Sequence, residues 1–344
     1  MEALQHRCGS PKILLVKLKQ IGDALILTPT IRAIRNRYPE AFVCVVVRSG
    51  VEGILQGCSG IDRIITSSAT KGNTSKASLI WSEIKNLLFL RSQNFDYAFE
   101  LTDGDRGRFY TMMSGAKIKS VNTSRYQIGL WRKMWFNSKT KKPWNRGHRV
   151  EKDYFAVSEV LPLGELPSLQ FEEQYCTIPS EIRGMDEFVV LHPCTRWRRK
   201  RWPRERWVSL GQKLAGKVRN IVISCGPNEK ERRFSNELAE DLGGHFVSTD
   251  GRWSWADMAG ALRKAKAYIG VDTAAMHLAA ACGCPIVALF GESIDYQCKP
   301  WNSPHIIVSA ETHEGNTKSM ENISTENVVS AYHKLLERKP GLTT

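Results

Sequence analysis

The sequence predicts an α/β protein made of two Rossmann-like, doubly wound parallel sheets, and three observations carry that prediction. Short runs rich in Val, Ile and Phe alternate with segments of helical period, in two successive series. The alternation fails between Leu161 and Gly184, where Pro162, Gly164, Pro167 and Pro179 punctuate the chain. Polar loops carrying Lys, Asp and Gly follow directly on several strands, and doubly wound sheets hold their ligands at such strand ends.

The first series runs KILLVKL, a helix from Ala24 to Tyr38, FVCVVV, DRII, a helix from Leu79 to Arg91, DYAFEL and then a basic helical stretch. The second runs EFVVLHP, a helix from Arg204 to Ala215, NIVISCG, a helix from Glu229 to Leu242, HFVS, Ala256 to Lys264, AYIGVD, Ala274 to Cys282 and PIVALFG. A chain of 344 residues can bury two separate cores. The expected organisation is a first domain over 1–165, a second over 166–325, and a C-terminal helix and tail, 326–344, packing back on the first. The expected active site is a cleft between two facing domains.

Composition excludes several classes. The longest nearly apolar run, Leu278 to Phe290, is too short to span a bilayer and is broken by Gly283 and Pro285. The first residues lack the apolar core and cleavage site of a secretory signal, so a cytoplasmic protein is expected. Nine cysteines without a CxxC pair are expected to be reduced structural thiols, and no HExxH or zinc spacing is present.

The net charge of +14 is concentrated in two patches. Arg106 to Arg149 holds twelve Lys or Arg and no acid, interleaved with Trp131, Trp135 and Trp144; Arg196 to Arg206 holds seven against Glu205 alone. Charge runs are usually solvated faces. The tryptophans in the first patch also suit a membrane interface or nucleic acid. The second stands at a loop entering a helix, where anions bind.

The strand ends narrow the chemistry. After AYIGV, Asp272 is placed as an N-cap, the N–H groups from Thr273 to Ala275, Ala274 included, are free for an anion, and His277 lies one turn further on. In TRWRRKRWP, beginning at Thr195, Arg196 and Lys200 suit a phosphate. In SCGPNEKE, Gly226 makes a turn and Glu229 suits ribose hydroxyls. The second half therefore fits a nucleotide diphosphate without GxGxxG or Walker loop, which also disfavours a dehydrogenase. After the first strand, however, Gly22-Asp23 stands where a phosphate loop would, and a carboxylate there repels phosphate.

Lys17, Gly22-Asp23 and Thr28-Pro29, the TRWRRKRWP loop, and GVDTAAMHLAAACGCP, in this order, resemble the bacterial lipopolysaccharide heptosyltransferases of the two-domain GT-B fold. LTDGDRGR and TRWRRKRWP are most similar to the heptosyltransferase III branch; the almost wholly basic loop 196–201 departs from the family. The resemblance implies an inverting, metal-independent transferase using ADP-L-glycero-D-manno-heptose and no cofactor. Asp23 would be the general base for the acceptor hydroxyl, with capping alone as its other reading. Lys200 would stabilise the leaving diphosphate, with Thr195, Arg196, Gly226, Glu229, Asp272, Thr273, Ala274 and His277 around the donor. Lys17, Gly22, Asp103, Asp105, Arg106 and Arg108 would line the acceptor side.

Asp103-Gly104-Asp105 is also a DxD of the kind that holds manganese in other glycosyltransferases, here in the acceptor half. The expected acceptor is the lipid A–core oligosaccharide, met at the cytoplasmic face of the inner membrane through the basic segment 106–149 and its anionic surface. Two alternatives remain: a GT-B transferase using another nucleotide sugar, and a non-catalytic nucleic-acid or membrane-binding protein. The second leaves Asp23, Asp272 and His277 without a role, so no nucleic-acid partner is expected.

Overall fold

The computed structural model describes residues 10–67, 75–122, 135–140, 147–243, 246–291, 295–310 and 319–337. The chain divides into two compact units, Met1–Pro167 and Ser168–Thr344.

The first unit contains β1 (Lys12–Lys17), α1 (Ile21–Leu25), α2 (Thr28–Arg37), β2 (Phe42–Arg48), β3 (Arg63–Ser67), α3 (Lys76–Ser92), β4 (Tyr97–Glu100), α4 (Asp105–Met113), β5 (Ile118–Asn122), β6 (Ser138–Thr140) and α5 (Arg149–Ser158). The strands pair in parallel in the order β3-β2-β1-β4-β5-β6. β1 and β2 are almost continuously apolar and buried, as strands covered on both faces must be.

The second unit contains β7 (Phe188–His192), α6 (Arg204–Ala215), β8 (Asn220–Ile223), α7 (Glu229–Leu242), β9 (Phe246–Ser248), α8 (Trp255–Lys264), β10 (Ala267–Val271), α9 (Ala274–Ala281), β11 (Ile286–Phe290), α10 (Asp295–Cys298), β12 (His305–Ser309) and α11 (Thr325–Glu337). Its parallel order is β12-β11-β10-β7-β8-β9. Counted within each unit, both sheets have the order 3-2-1-4-5-6. The chain therefore reverses direction across the sheet at β1/β4 and again at β7/β10, and each reversal opens a crevice beyond the strand ends.

Three expectations are corrected. The helix expected from Ala24 to Tyr38 is two helices, because the chain breaks at Ile26-Leu27 and restarts with Pro29 in the first turn of α2, where its missing N–H costs nothing. The basic helical stretch after DYAFEL ends at Met113 and is followed by β5 and β6. The C-terminal helix was expected to pack back on the first domain. Instead α11 contributes Val328, Ala331, Tyr332 and Leu335 to the core of the second unit, beside Trp207, Leu210 and Val308.

Candidate active site

At the β1/β4 crevice, α5 brings two opposite charges one turn apart to Lys17, the last residue of β1, and Asp23 of α1. Arg149 Nη1 lies 2.8 Å from Asp23 Oδ1. Asp153 receives the Lys17 ammonium at 2.6 Å on both carboxylate oxygens. Lys19 Nζ is 3.4 Å from Asp103 Oδ2. Asp23 is only 8% exposed and is the third residue of α1 rather than its cap; its Oδ2 accepts the Gln20 N–H at 3.2 Å. Burial alone would raise its carboxyl, but Lys17, Arg149, Lys19 and the Gln20 N–H outweigh it and hold Asp23 below its ordinary value. Burial prevails at Asp153, whose carboxyl is raised against the pull of Lys17.

β4 ends in Glu100, a buried carboxylate whose Oε1 accepts the Thr102 N–H at 2.8 Å. Burial, helped by Asp103, pushes Glu100 up to about 7. Thr102 Oγ1 accepts the Leu18 N–H at 2.9 Å, tying the ends of β1 and β4 together. α4 enters so close that a Cβ on Gly107 would collide with Glu100 Oε1 and Thr102. Asp103 itself has φ 57, a left-handed conformation that Asp tolerates better than most residues.

The residues expected on the acceptor side are placed as follows. Lys17 is buried, so its role at Asp23 is exerted through charge. Gly22 is part of α1, and Asp105 is exposed with Oδ1 3.4 Å from Arg108 Nη1. Of the described cations in segment 106–149, Arg108 is buried, Arg106 pairs with Glu83 at 3.1 Å, Lys117 with Asp96 at 2.7 Å and Arg149 with Asp23, while Lys119 is half-buried and Lys139 exposed. Trp131, Trp144, Arg125, Arg132, Lys133, Lys141, Lys142 and Arg146 lie outside the described residues.

At the β7/β10 crevice, Lys200 Nζ is 2.5 Å from Asp272 Oδ2 and 3.3 Å from the Asp272 carbonyl oxygen. This corrects the capping role expected of Asp272: α9 starts at Ala274 with Thr273 as its cap residue, and the Asp272 carboxylate holds Lys200 instead. The loop bearing Lys200 is anchored at its far end, where Trp202 is buried edge-on to Trp207 and its indole N–H donates to the Ile323 carbonyl at 3.0 Å. Thr195 is buried, its carbonyl accepting from Arg201 Nε at 3.2 Å. Arg196 lies over the exposed Trp197 ring.

Gly226 donates its N–H to Glu231 Oε2 at 3.0 Å, and a Cβ there would stand 2.7 Å from that oxygen. Glu229 is exposed in the first turn of α7, with Arg233 3.3 Å away. His277 is buried on α9. Beside β10, the sequence reading missed His192, which burial lowers to about 4 and which therefore stays neutral, with Nδ1 2.9 Å from Ser224 Oγ.

Arg149, Asp153 and Glu100 were likewise missed as site residues. Arg149 and Asp153 stand more than a hundred residues from Asp23 and Lys17, and only the i, i+4 opposition of charges in RVEKD hinted at a function for that helix. Among the described residues no helix is long and apolar enough to cross a membrane.

Two Rossmann-like units, one carrying a buried ionised carboxylate and the other a lysine fixed at its switch point, define a two-domain glycosyltransferase. Residues 88–328 match the model of glycosyltransferase family 9 (heptosyltransferase), and the chain belongs to that family. It is 25% identical over 339 residues to lipopolysaccharide heptosyltransferase 3 of Escherichia coli K12, covering 92% of this chain and 95% of that protein. Among solved structures, a family 9 glycosyl transferase from Veillonella parvula superposes with a TM-score of 0.79 at 18% identity, covering 95% of this chain and 97% of the other. The E. coli heptosyltransferase WaaC with ADP gives 0.76 at 20%, covering 94% and 99%. The fold is thus the GT-B fold of the heptosyltransferases, and the chain is a transferase; the non-catalytic reading is set aside.

Proposed function

We propose that this chain transfers heptose from ADP-L-glycero-D-manno-heptose, with inversion and without a metal, to a phosphorylated sugar of the lipid A–core oligosaccharide at the cytoplasmic face of the membrane that carries it. The observation that carries the proposal is Asp23: a buried carboxylate in the first turn of α1, kept ionised by Lys17 and Arg149. Asp23 takes the proton of the attacking hydroxyl. The donor residues are those of the second unit, with Lys200 neutralising the diphosphate as the anomeric bond breaks and Thr195, Arg196, Gly226, Glu229, Thr273, Ala274 and His277 around the nucleotide sugar. The relatives' names, and the ADP bound in the WaaC structure, support the choice of donor and acceptor.

The test is incubation of the purified protein with ADP-heptose, or with UDP-, GDP- or CMP-linked sugars, and a heptose-deficient lipid A–core acceptor. Mass spectrometry should show one added heptosyl group from the ADP donor alone, undiminished by EDTA. Transfer from another donor only would reassign the nucleotide sugar. Loss of activity in EDTA restored by manganese would make Asp103 and Asp105 a metal site.

A further inference from the structure

The solvent face of α3 is apolar. Ile80, Trp81, Ile84 and Leu88 are 61%, 59%, 38% and 63% exposed, and their spacing gathers them on one arc of the helix. α4 extends the surface with Phe109 and Met113, 47% and 38% exposed. Glu83 joins the two helices by accepting from Arg106 and from the Tyr110 hydroxyl. Glu83 is the sole acid of α3 and is spent in that contact, whereas Lys76, Lys85 and Arg91 are exposed around the apolar arc, with Lys85 over the Trp81 ring. On α4 the exposed Asp105, one turn before Phe109, lies 3.4 Å from Arg108. Exposed aliphatic and indole side chains ringed by cations, with the neighbouring acids held in such pairs, are the composition of an interfacial helix.

We propose that this α3–α4 face is a lipid-docking surface that lays Ile80, Trp81, Ile84, Leu88, Phe109 and Met113 into the headgroup region of an anionic leaflet. Charge selects this occupant. Anionic headgroups attract Lys76, Lys85 and Arg91, and an indole suits the interface depth. A second copy of the chain docked by a twofold axis would set the same cations against one another. The inference draws its purpose from the proposed lipid-linked acceptor: α4 begins at Asp105, two residues after Asp103, so the docked face is continuous with the proposed acceptor side.

The test compares the wild-type chain with Trp81→Ala/Leu88→Ala and with Lys76→Gln/Lys85→Gln/Arg91→Gln, ADP affinity serving as the check of folding. Sedimentation uses vesicles of phosphatidylcholine with and without phosphatidylglycerol. The wild type should partition onto the anionic vesicles, and each variant should partition about tenfold less. The apparent KM for a vesicle-embedded acceptor should rise in step, while turnover of a delipidated core oligosaccharide stays unchanged. Equal partitioning of variants and wild type, no wild-type binding, or a wild-type dimer that the apolar double variant dissociates would each overturn the inference. Failure of the transfer reading shows separately, as no heptosyl transfer even to the delipidated acceptor.

Discussion

Lys200 and Asp272 stand at the reversal point of the second sheet, with the ammonium 2.5 Å from the carboxylate and 3.3 Å from the backbone carbonyl of the same aspartate. One residue thus fixes the lysine twice. The cation is preorganised, and in the proposed mechanism its interaction strengthens as charge grows on the departing diphosphate.

Lys200→Ala should therefore lower kcat at saturating donor on the order of 10²-fold or more, by analogy with the loss of one preorganised donor. Lys200→Arg should rescue only in part, since a planar fork places its charge differently from a compact ammonium. Asp272→Asn should lower kcat by freeing the lysine, and the double variant should lose less than the sum of the two. A rise in donor KM with kcat unchanged would move leaving-group stabilisation elsewhere in the loop.

Arg149 lowers the Asp23 carboxyl, after burial and Lys17 have had their larger effects. Removing a cation beside a carboxylate raises its pKa, so Arg149→Gln should shift the acid limb of kcat/KM to higher pH. Rates on the alkaline side of that limb should be better preserved. An acid limb that does not move, measured on variant and wild type together, would detach Arg149 from Asp23 in the working enzyme.

Glu100 offers a stability test with a defined sign. Its carboxyl is pushed up to about 7 from 4.5, so the folded state holds the proton more tightly than the unfolded chain does. The resulting contribution is fully present below the unfolded value and is lost as pH rises through about 7. At about 1.4 kcal/mol per pKa unit it amounts to roughly 3 kcal/mol. Glu100→Gln should thus melt above the wild type at pH 8, with the advantage shrinking toward pH 5. A difference independent of pH would show that Glu100 does not change protonation across this range.

Much of this was legible in the sequence because the central strands of a doubly wound sheet are apolar throughout and stand apart from their surroundings. Strand β5 was not, since IKSVN mixes polar and apolar residues beside basic neighbours. The site divided along similar lines. Asp272 follows β10 directly, Asp23 and Lys200 stand in the segments that leave β1 and β7, and all three could be placed by position. Arg149 and Asp153 reach Asp23 and Lys17 only through the packing of α5, which no local pattern announces. Asp272 was visible but misassigned, because an Asp before a helix suits capping and ion pairing equally until its partner is known.

The most direct test of the account is Asp23→Asn, with turnover and ADP affinity measured on one preparation. Asp23 lies in the first unit and the proposed donor residues in the second, so the proposed base can be replaced without altering any proposed donor residue. The account predicts a fall in kcat on the order of 10²–10⁴-fold, with the ADP dissociation constant changed by no more than about twofold. Turnover close to wild type would remove Asp23 from the chemistry, and lost ADP binding would place it in the donor site.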